Sequence, residues 1–220
     1  MKIYILRHAQ TDLNKEKRIQ GRLDIAINED GVIQANKRRD AISKQELNFD
    51  RIFVSPLQRA IETTELVTGV NKSDFVIDER LAELKFGVIE GTRYSALPFP
   101  YSNFFEDPAS YTPADGGETW AELEKRLSSF FTDLMSEDFN GLNDSKVDEE
   151  EYSVLLTSHG TVIHSILKYL LKLDYADFWT PPASNCSFIE VSLSDGVYSL
   201  VGAYDLDGRL ESDWTKWTRF

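Results

Sequence analysis

Two of the three histidines in this 220-residue chain stand where a buried strand should end. His8 closes the run MKIYILRH and His159 closes YSVLLTSH. Arginines accompany them: Arg7 directly precedes His8, and Arg59 lies in SPLQRA, just past a third strand-like run. A neutral imidazole can act as a nucleophile, and guanidinium groups grip phosphoryl oxygens through paired N–H donors. Ligands of open α/β sheets sit at the carboxyl ends of the strands, so these four residues could converge on one phosphoryl pocket although 151 positions separate the two histidines. Taken singly, each is better read as a satisfied structural histidine or a surface arginine. The set carries the reading. His164, five residues beyond His159, misses the i, i+4 spacing of a helical zinc pair and is read as structural.

The elements that must position these groups follow from periodicity. KIYIL (2–6), RIFVS (51–55) and YSVLLTSHG (152–160) are short, apolar and β-rich, as buried strands are. Helices are predicted from Asn28 to Leu47, with Val32, Ala35, Ile42 and Leu47 on one stripe and Asn28 or Asp30 as cap. Another is predicted after Ser55, with Pro56 in its first turn, then one over Thr119 to Met135, and one in TVIHSILKYLLKL. SFIEVSL (187–193) and YSLVGAY (198–204), joined by Ser-Asp-Gly-Val, predict a hairpin. Strands alternating with helices before a terminal hairpin imply an α/β fold with a largely parallel sheet and an antiparallel margin.

Composition narrows the function classes. The net charge of −13 argues against nucleic acid or an anionic membrane as partner. That charge is uneven: residues 1–110 carry 16 basic and 17 acidic side chains, residues 111–220 carry 8 and 20. The first half is therefore free to build a positive site. Asp133 to Glu151 is an acidic, apolar-poor stretch read as a solvated excursion. Cys186 is the single cysteine, so no intrachain disulfide is expected, and no apolar run approaches a membrane span. A cytoplasmic location is the expectation. No P-loop or G-x-G-x-x-G is present.

Six ordered segments, LRHAQTDLN (6–14), GRLD (21–24), SPLQRAIET (55–63), LAELKFGVIEG (81–91), GGETW (116–120) and SHG (158–160), resemble the histidine phosphatase superfamily, also called the phosphoglycerate mutase-like family. The likeness spans residues 1–91 and about 114–165. It implies a three-layer α/β fold with a largely parallel central sheet, helices on both faces and a lid insertion at about 92–118. One domain over residues 1–220 is implied, with the acidic excursion at about 133–151. It further implies that His8 is the nucleophile and becomes phosphorylated, while Arg7, Arg59 and His159 hold the phosphoryl oxygens. Asn14 and the backbone at Gly21 and Gly160 would complete the phosphate contacts. Glu83 would donate a proton to the leaving alcohol and later activate water. Without the motif Glu83 reads as an exposed carboxylate, and Glu79, Glu90 and Glu118 are its rivals.

Independently of the family, a histidine nucleophile must be neutral, and flanking guanidinium groups disfavour its protonation. No metal or cofactor is required by this chemistry. Departures from the family pattern are Ala9 in place of glycine, Gln10 in place of an acid and Ile89 in place of tryptophan. Phe86 and Thr161 stand where the mutase branch carries a tyrosine and an asparagine, and no basic residue lies between Arg93 and Lys125. A polyanionic substrate is thus expected to be poorly received. The insertion's Tyr94, Phe99, Tyr101, Phe104, Phe105 and Tyr111 have two readings: an aromatic lid over an apolar leaving group, or packing of the loop onto the body.

The expected function is a metal-independent phosphomonoesterase acting on a small phosphorylated metabolite and releasing inorganic phosphate. Phosphoglycerate mutase is the first alternative and a non-catalytic phospholigand-binding domain the second. The C-terminal Trp214, Trp217 and Phe220 are read as a docked tail or a homodimer contact.

Overall fold

In the computed structural model, residues 1–136 and 152–210 are described. Most of the acidic excursion and the Trp-rich C-terminus therefore lie outside the described residues. Six strands form one sheet in the order β3-β2-β4-β1-β5-β6. They are β1 (Lys2–Arg7), β2 (Arg51–Val54), β3 (Val76–Ile77), β4 (Ser153–Ser158), β5 (Phe188–Ser194) and β6 (Val197–Tyr204). The first four pair parallel with one another, while β5 is antiparallel to both β1 and β6.

Period-two alternation sorts the strand side chains onto two cores. Ile3, Ile5, Phe53, Val154, Leu156, Ile189 and Val191 face one side, where helices α4 (Trp120–Leu134) and α5 (Gly160–Leu171) supply Leu123, Leu127, Phe130, Val162 and Ile166. Tyr4, Leu6, Ile52, Val54, Leu155 and Phe188 face the other, against Ala35 and Ile42 of α2 (Glu29–Lys44) and Ala60 and Val67 of α3 (Gln58–Thr68). The result is the expected three-layer α/β arrangement. No helix among the described residues is long and apolar enough to cross a membrane.

Local chemistry explains most boundaries. Asn28 caps α2, accepting from the Gly31 N–H at 2.9 Å, and Thr119 caps α4 in a reciprocal pair with Glu122. Asp195 and Gly196, both at positive φ (51° and 75°), form the two-residue turn of the β5–β6 hairpin, tighter than the four-residue link expected. Two expectations need correction. Pro56 lies outside α3, which starts at Gln58 after Leu57 as N-cap, so its ring ends β2 rather than opening the helix. The packed stripe of α2 is Gly31, Ala35, Arg38 and Ile42, with Val32 40% exposed. A buried arginine is invisible to a hydrophobic periodicity. Arg38 is held by the carbonyls of Cys186, Tyr204 and Asp205.

The insertion expected at 92–118 is a string of short 3₁₀ turns. Its aromatics mostly serve packing. Phe104 is 3% exposed and contacts the rings of Phe86, Phe105, Tyr111, Trp120 and Trp179. Tyr101, Phe105 and Tyr111 pack on the same core. Tyr94 and Phe99 are the two aromatics of the insertion left exposed.

Candidate active site

Sheet register brings the two histidines together. β1 and β4 are parallel neighbours with Arg7 opposite Ser158, so the residues that follow, His8 and His159, emerge side by side at the same edge. Adjacent strands lie just under 5 Å apart, and the imidazole centroids are 5.1 Å apart. The His8 N–H donates to the Ser158 carbonyl at 3.0 Å. On the far side of β4, β2 ends at Val54 opposite Thr157, which delivers Ser55 beside His159 and Arg59 one residue into α3.

The hydrogen bonds define the ring states. His8 Nδ1 lies 2.7 Å from the Ala9 carbonyl, which can only accept. Nδ1 therefore carries the proton and Nε2 keeps its lone pair. Burial, then the charges of Arg59 and Arg7, push the His8 pKa well below its ordinary value, so the ring is a neutral base. His159 is lowered likewise, by burial first and then by Arg59, His8 and Arg7. Its Nε2 is 2.6 Å from Ser55 Oγ, which also accepts from the Leu57 N–H. We assign the Ser55 hydroxyl as the donor to Nε2, which leaves Nδ1–H as the free donor of His159. That Nδ1 is buried without a partner.

Both arginines are anchored by backbone carbonyls and keep a donor in reserve. Arg7 Nη1 donates to Ala183 O, and Arg59, fully buried, donates to Leu23 and Gly21 carbonyls at 2.8 Å each. Burial pushes Arg59 down to about 10, against the favourable charges of Glu83 and Asp24. The Nε atoms of Arg7 and Arg59 are buried with no partner. With His159 Nδ1, they form a set of unmet donors of the kind an oxyanion would satisfy.

The remaining expected residues surround this set. Asn14 Oδ1 accepts from Thr11 and Asn185, leaving its Nδ2 to donate elsewhere. Gly21 sits at φ +53°, and an added Cβ would lie 2.1 Å from the Glu90 carboxylate, so a side chain there would be strained and would displace Glu90. Its carbonyl, rather than any side chain, receives Arg59. Gly160 opens α5 against the Arg7 guanidinium, an added Cβ lying 3.5 Å from Cζ.

Glu83 is 8% exposed, accepts from the Leu84 and Thr161 N–H groups, and lies within electrostatic reach of Arg7 and Arg59. Its rivals are engaged elsewhere or exposed: Glu90 accepts from the Phe86 and Arg22 N–H groups, Glu118 pairs with Arg126, and the Glu79 side chain is 80% exposed. His164 is buried against Phe178 and Trp179, with its pKa pushed down to about 3, first by burial and then by the charge of Arg7.

Several positioning groups were not anticipated. Ser55 orients His159, and Thr63 accepts from the Ala9 N–H at 2.9 Å. Asn185 donates to the His8 carbonyl and to Asn14, and the Cys186 N–H donates to the same His8 carbonyl. Arg126 binds the carbonyls of Arg80 and Glu83, tying the proton-donor candidate to α4. Its place four positions before Arg59 in SPLQR could have flagged Ser55; nothing local marks Asn185 or Arg126. Ala9 is fully buried, so its extra methyl is accommodated in the core beside the nucleophile candidate.

Known proteins resemble the chain over most of its length. The chain is 24% identical to phosphoserine phosphatase 1 of Hydrogenobacter thermophilus, over 89% of this chain and 88% of that one. It is 32% identical to fructose-2,6-bisphosphatase TIGAR of Bos taurus, over 93% and 89%. A solved mycobacterial glucosyl-3-phosphoglycerate phosphatase, in complex with VO3, superposes with a TM-score of 0.75 at 26% identity, covering 90% of this chain and 96% of that one. The family model for branch 1 of the histidine phosphatases matches residues 3–205, and the chain belongs to the histidine phosphatase superfamily.

Proposed function

We propose that this protein is a metal-independent phosphomonoesterase that hydrolyses a small phosphorylated metabolite through a phosphohistidine on His8. The observation that carries the reading is the pairing of a neutral, buried His8, with its Nε2 lone pair free, with the unmet donors of Arg7, Arg59 and His159. The relatives' names, phosphatases of phosphoserine and of glucosyl-3-phosphoglycerate, support a small phosphorylated substrate.

In the first step His8 Nε2 gives its electron pair to phosphorus, and the ester P–O bond breaks with its pair going to the alcohol oxygen. Glu83 transfers its proton to that oxygen and becomes a carboxylate. Arg7, Arg59 and His159 Nδ1–H hold the three phosphoryl oxygens as charge spreads over them. In the second step a water attacks phosphorus and gives a proton back to Glu83. The P–N bond then breaks, its pair returns to Nε2, and inorganic phosphate leaves. The Glu83 carboxylate is held between steps by the Leu84 and Thr161 N–H groups.

Replacing His8 with Ala should lower turnover of 4-nitrophenyl phosphate by about 10⁴-fold or more, the scale of losing a covalent nucleophile. Rapid quench of the wild type should yield acid-labile phosphohistidine. Undiminished turnover by the variant overturns the proposal. Phosphate binding with no phosphohistidine would instead indicate a phospholigand-binding domain, and interconversion of phosphoglycerates without net hydrolysis a mutase.

A further inference from the structure

The ring state of His8 depends on one carbonyl, and the peptide that carries it is held from its far side. His8 Nδ1 lies 2.7 Å from Ala9 O. That oxygen belongs to the same amide as the Gln10 N–H, and a trans amide points its oxygen and its hydrogen in opposite directions. The Gln10 N–H donates to Gln34 Oε1 of α2 at 2.9 Å, the one hydrogen bond of the Gln34 side chain among the described residues. His8 and Gln34 therefore engage the two sides of a single amide plane.

The first turns of α2 grip residue 10 closely. The Asn28 N–H donates to Gln10 O at 2.9 Å, and Asn28 Nδ2 donates to Gln10 Oε1 at 3.2 Å. Gly31 permits this approach, since an added Cβ would stand 2.3 Å from Gln10 O. On the other side of Ala9, its N–H is taken by Thr63 Oγ1, which in turn donates to Arg59 O at 2.6 Å. The two peptides that flank the Ala9 Cα are thus tied to α2 and α3. Of these ties, the one from Gln10 to Gln34 acts on the amide that faces the ring.

We propose that Gln34 is a positioning residue for the nucleophile: by accepting the Gln10 N–H it fixes the Ala9 carbonyl on His8 Nδ1–H and so keeps the lone pair on Nε2. The proposal rests on the phosphomonoesterase reading of His8. Two effects act in the same direction. Rotation of the amide that would swing Ala9 O off the ring would also break the bond to Gln34. An amide that donates through its N–H is moreover a better acceptor at its oxygen, because hydrogen bonds in a chain polarise one another. A neutral imidazole without a firm acceptor at Nδ1 shares its proton between the two nitrogens, and the form with Nε2–H has no lone pair there to attack phosphorus.

The test compares Gln34→Met, which keeps the length of the side chain and removes the acceptor, with Gln34→Glu, which keeps an acceptor. Thermal melts check that both fold, and Gln34→Ala, a helix former, replaces the Met variant should that one not fold. NMR spectra of protein labelled in the histidine ring nitrogens, with His8 assigned from its loss in His8→Ala, should show Nδ1 protonated and Nε2 bare in the wild type. In Gln34→Met the two signals should move toward each other as the second tautomer becomes populated. On 4-nitrophenyl phosphate kcat should fall by about 10-fold, the scale of one hydrogen bond, with KM changed by less than about twofold. Gln34→Glu should recover most of kcat and the wild-type ring state. Unmoved His8 signals in the folded Met variant, or a ring state in Gln34→Glu altered as much as in Gln34→Met, overturn the proposal. Should the wild type not hydrolyse the ester, the spectra alone decide. A tautomer shift in Gln34→Met then upholds the role of Gln34 while the phosphatase reading fails, and its absence overturns the role of Gln34.

Discussion

The two halves of the pocket are built on different principles. The phosphoryl half stands on the ends of β1, β4 and β2, where backbone pairing sets the separation of His8, His159 and Ser55. The leaving-group half is made of irregular backbone: the turn at Gly21, the 3₁₀ turns around Glu83 and the aromatic insertion. A ladder of parallel strands leaves little freedom, which would suit the proposed reaction, whose transferred group is always the same. Loops can change without disturbing that ladder, and specificity is placed there.

This contrast can be broken at its packed loop. Phe104→Ala removes a ring that joins the insertion to Phe86, Trp120 and Trp179 outside it, and large-to-small changes in such a core cost about 3–5 kcal/mol. Urea unfolding should show that loss, with aryl phosphate hydrolysis retained below the new melting range. An unchanged stability would mean that the insertion is a detachable lid, and the second half of the comparison would fall.

The strand-borne half is sharpened by Ser55→Ala. Loss of the 2.6 Å contact to His159 frees the ring to take either tautomer, and kcat should drop by about 10-fold, with KM and stability nearly unchanged. A change confined to KM would remove Ser55 from this positioning role.

A smaller effect distinguishes the buried histidines by pH. The unfolded chain protonates His164 near 6.5, while the native ring holds out to about 3. Between those values the unfolded state binds the extra proton, so stability falls as pH is lowered through that window, by up to about 1.4 kcal/mol per pH unit for each such histidine. His8 and His159 act in the same direction. Urea midpoints measured against pH should show a shallower slope for His164→Leu. An unaltered slope would show that the native His164 is charged and outside this account.

Much of the fold was legible because it is written locally. The short, β-rich apolar runs in KIYIL and SVLLTS, the Asn28 and Thr119 caps and the Asp195-Gly196 turn all act within a few residues of themselves. Failures arose where the deciding contact is distant. Arg38 sits on the packed stripe of α2 because carbonyls 148 to 167 positions away receive it. Glu83 could not be separated from Glu79, Glu90 and Glu118 by residue type alone, since all four are glutamates and only the fold shows which one is buried beside Arg7 and Arg59.

By itself, then, the sequence determined the strand-end histidines, the arginines beside them and the absence of bases across the insertion, because residue type and short-range periodicity are local properties. Tertiary structure decided which of them meet. Pairing of Arg7 with Ser158 placed His8 against His159, and docking of residues 183–186 supplied carbonyl and amide partners to Arg7, His8 and Asn14. Register and loop docking depend on contacts between residues far apart in the chain, and no local pattern encodes them.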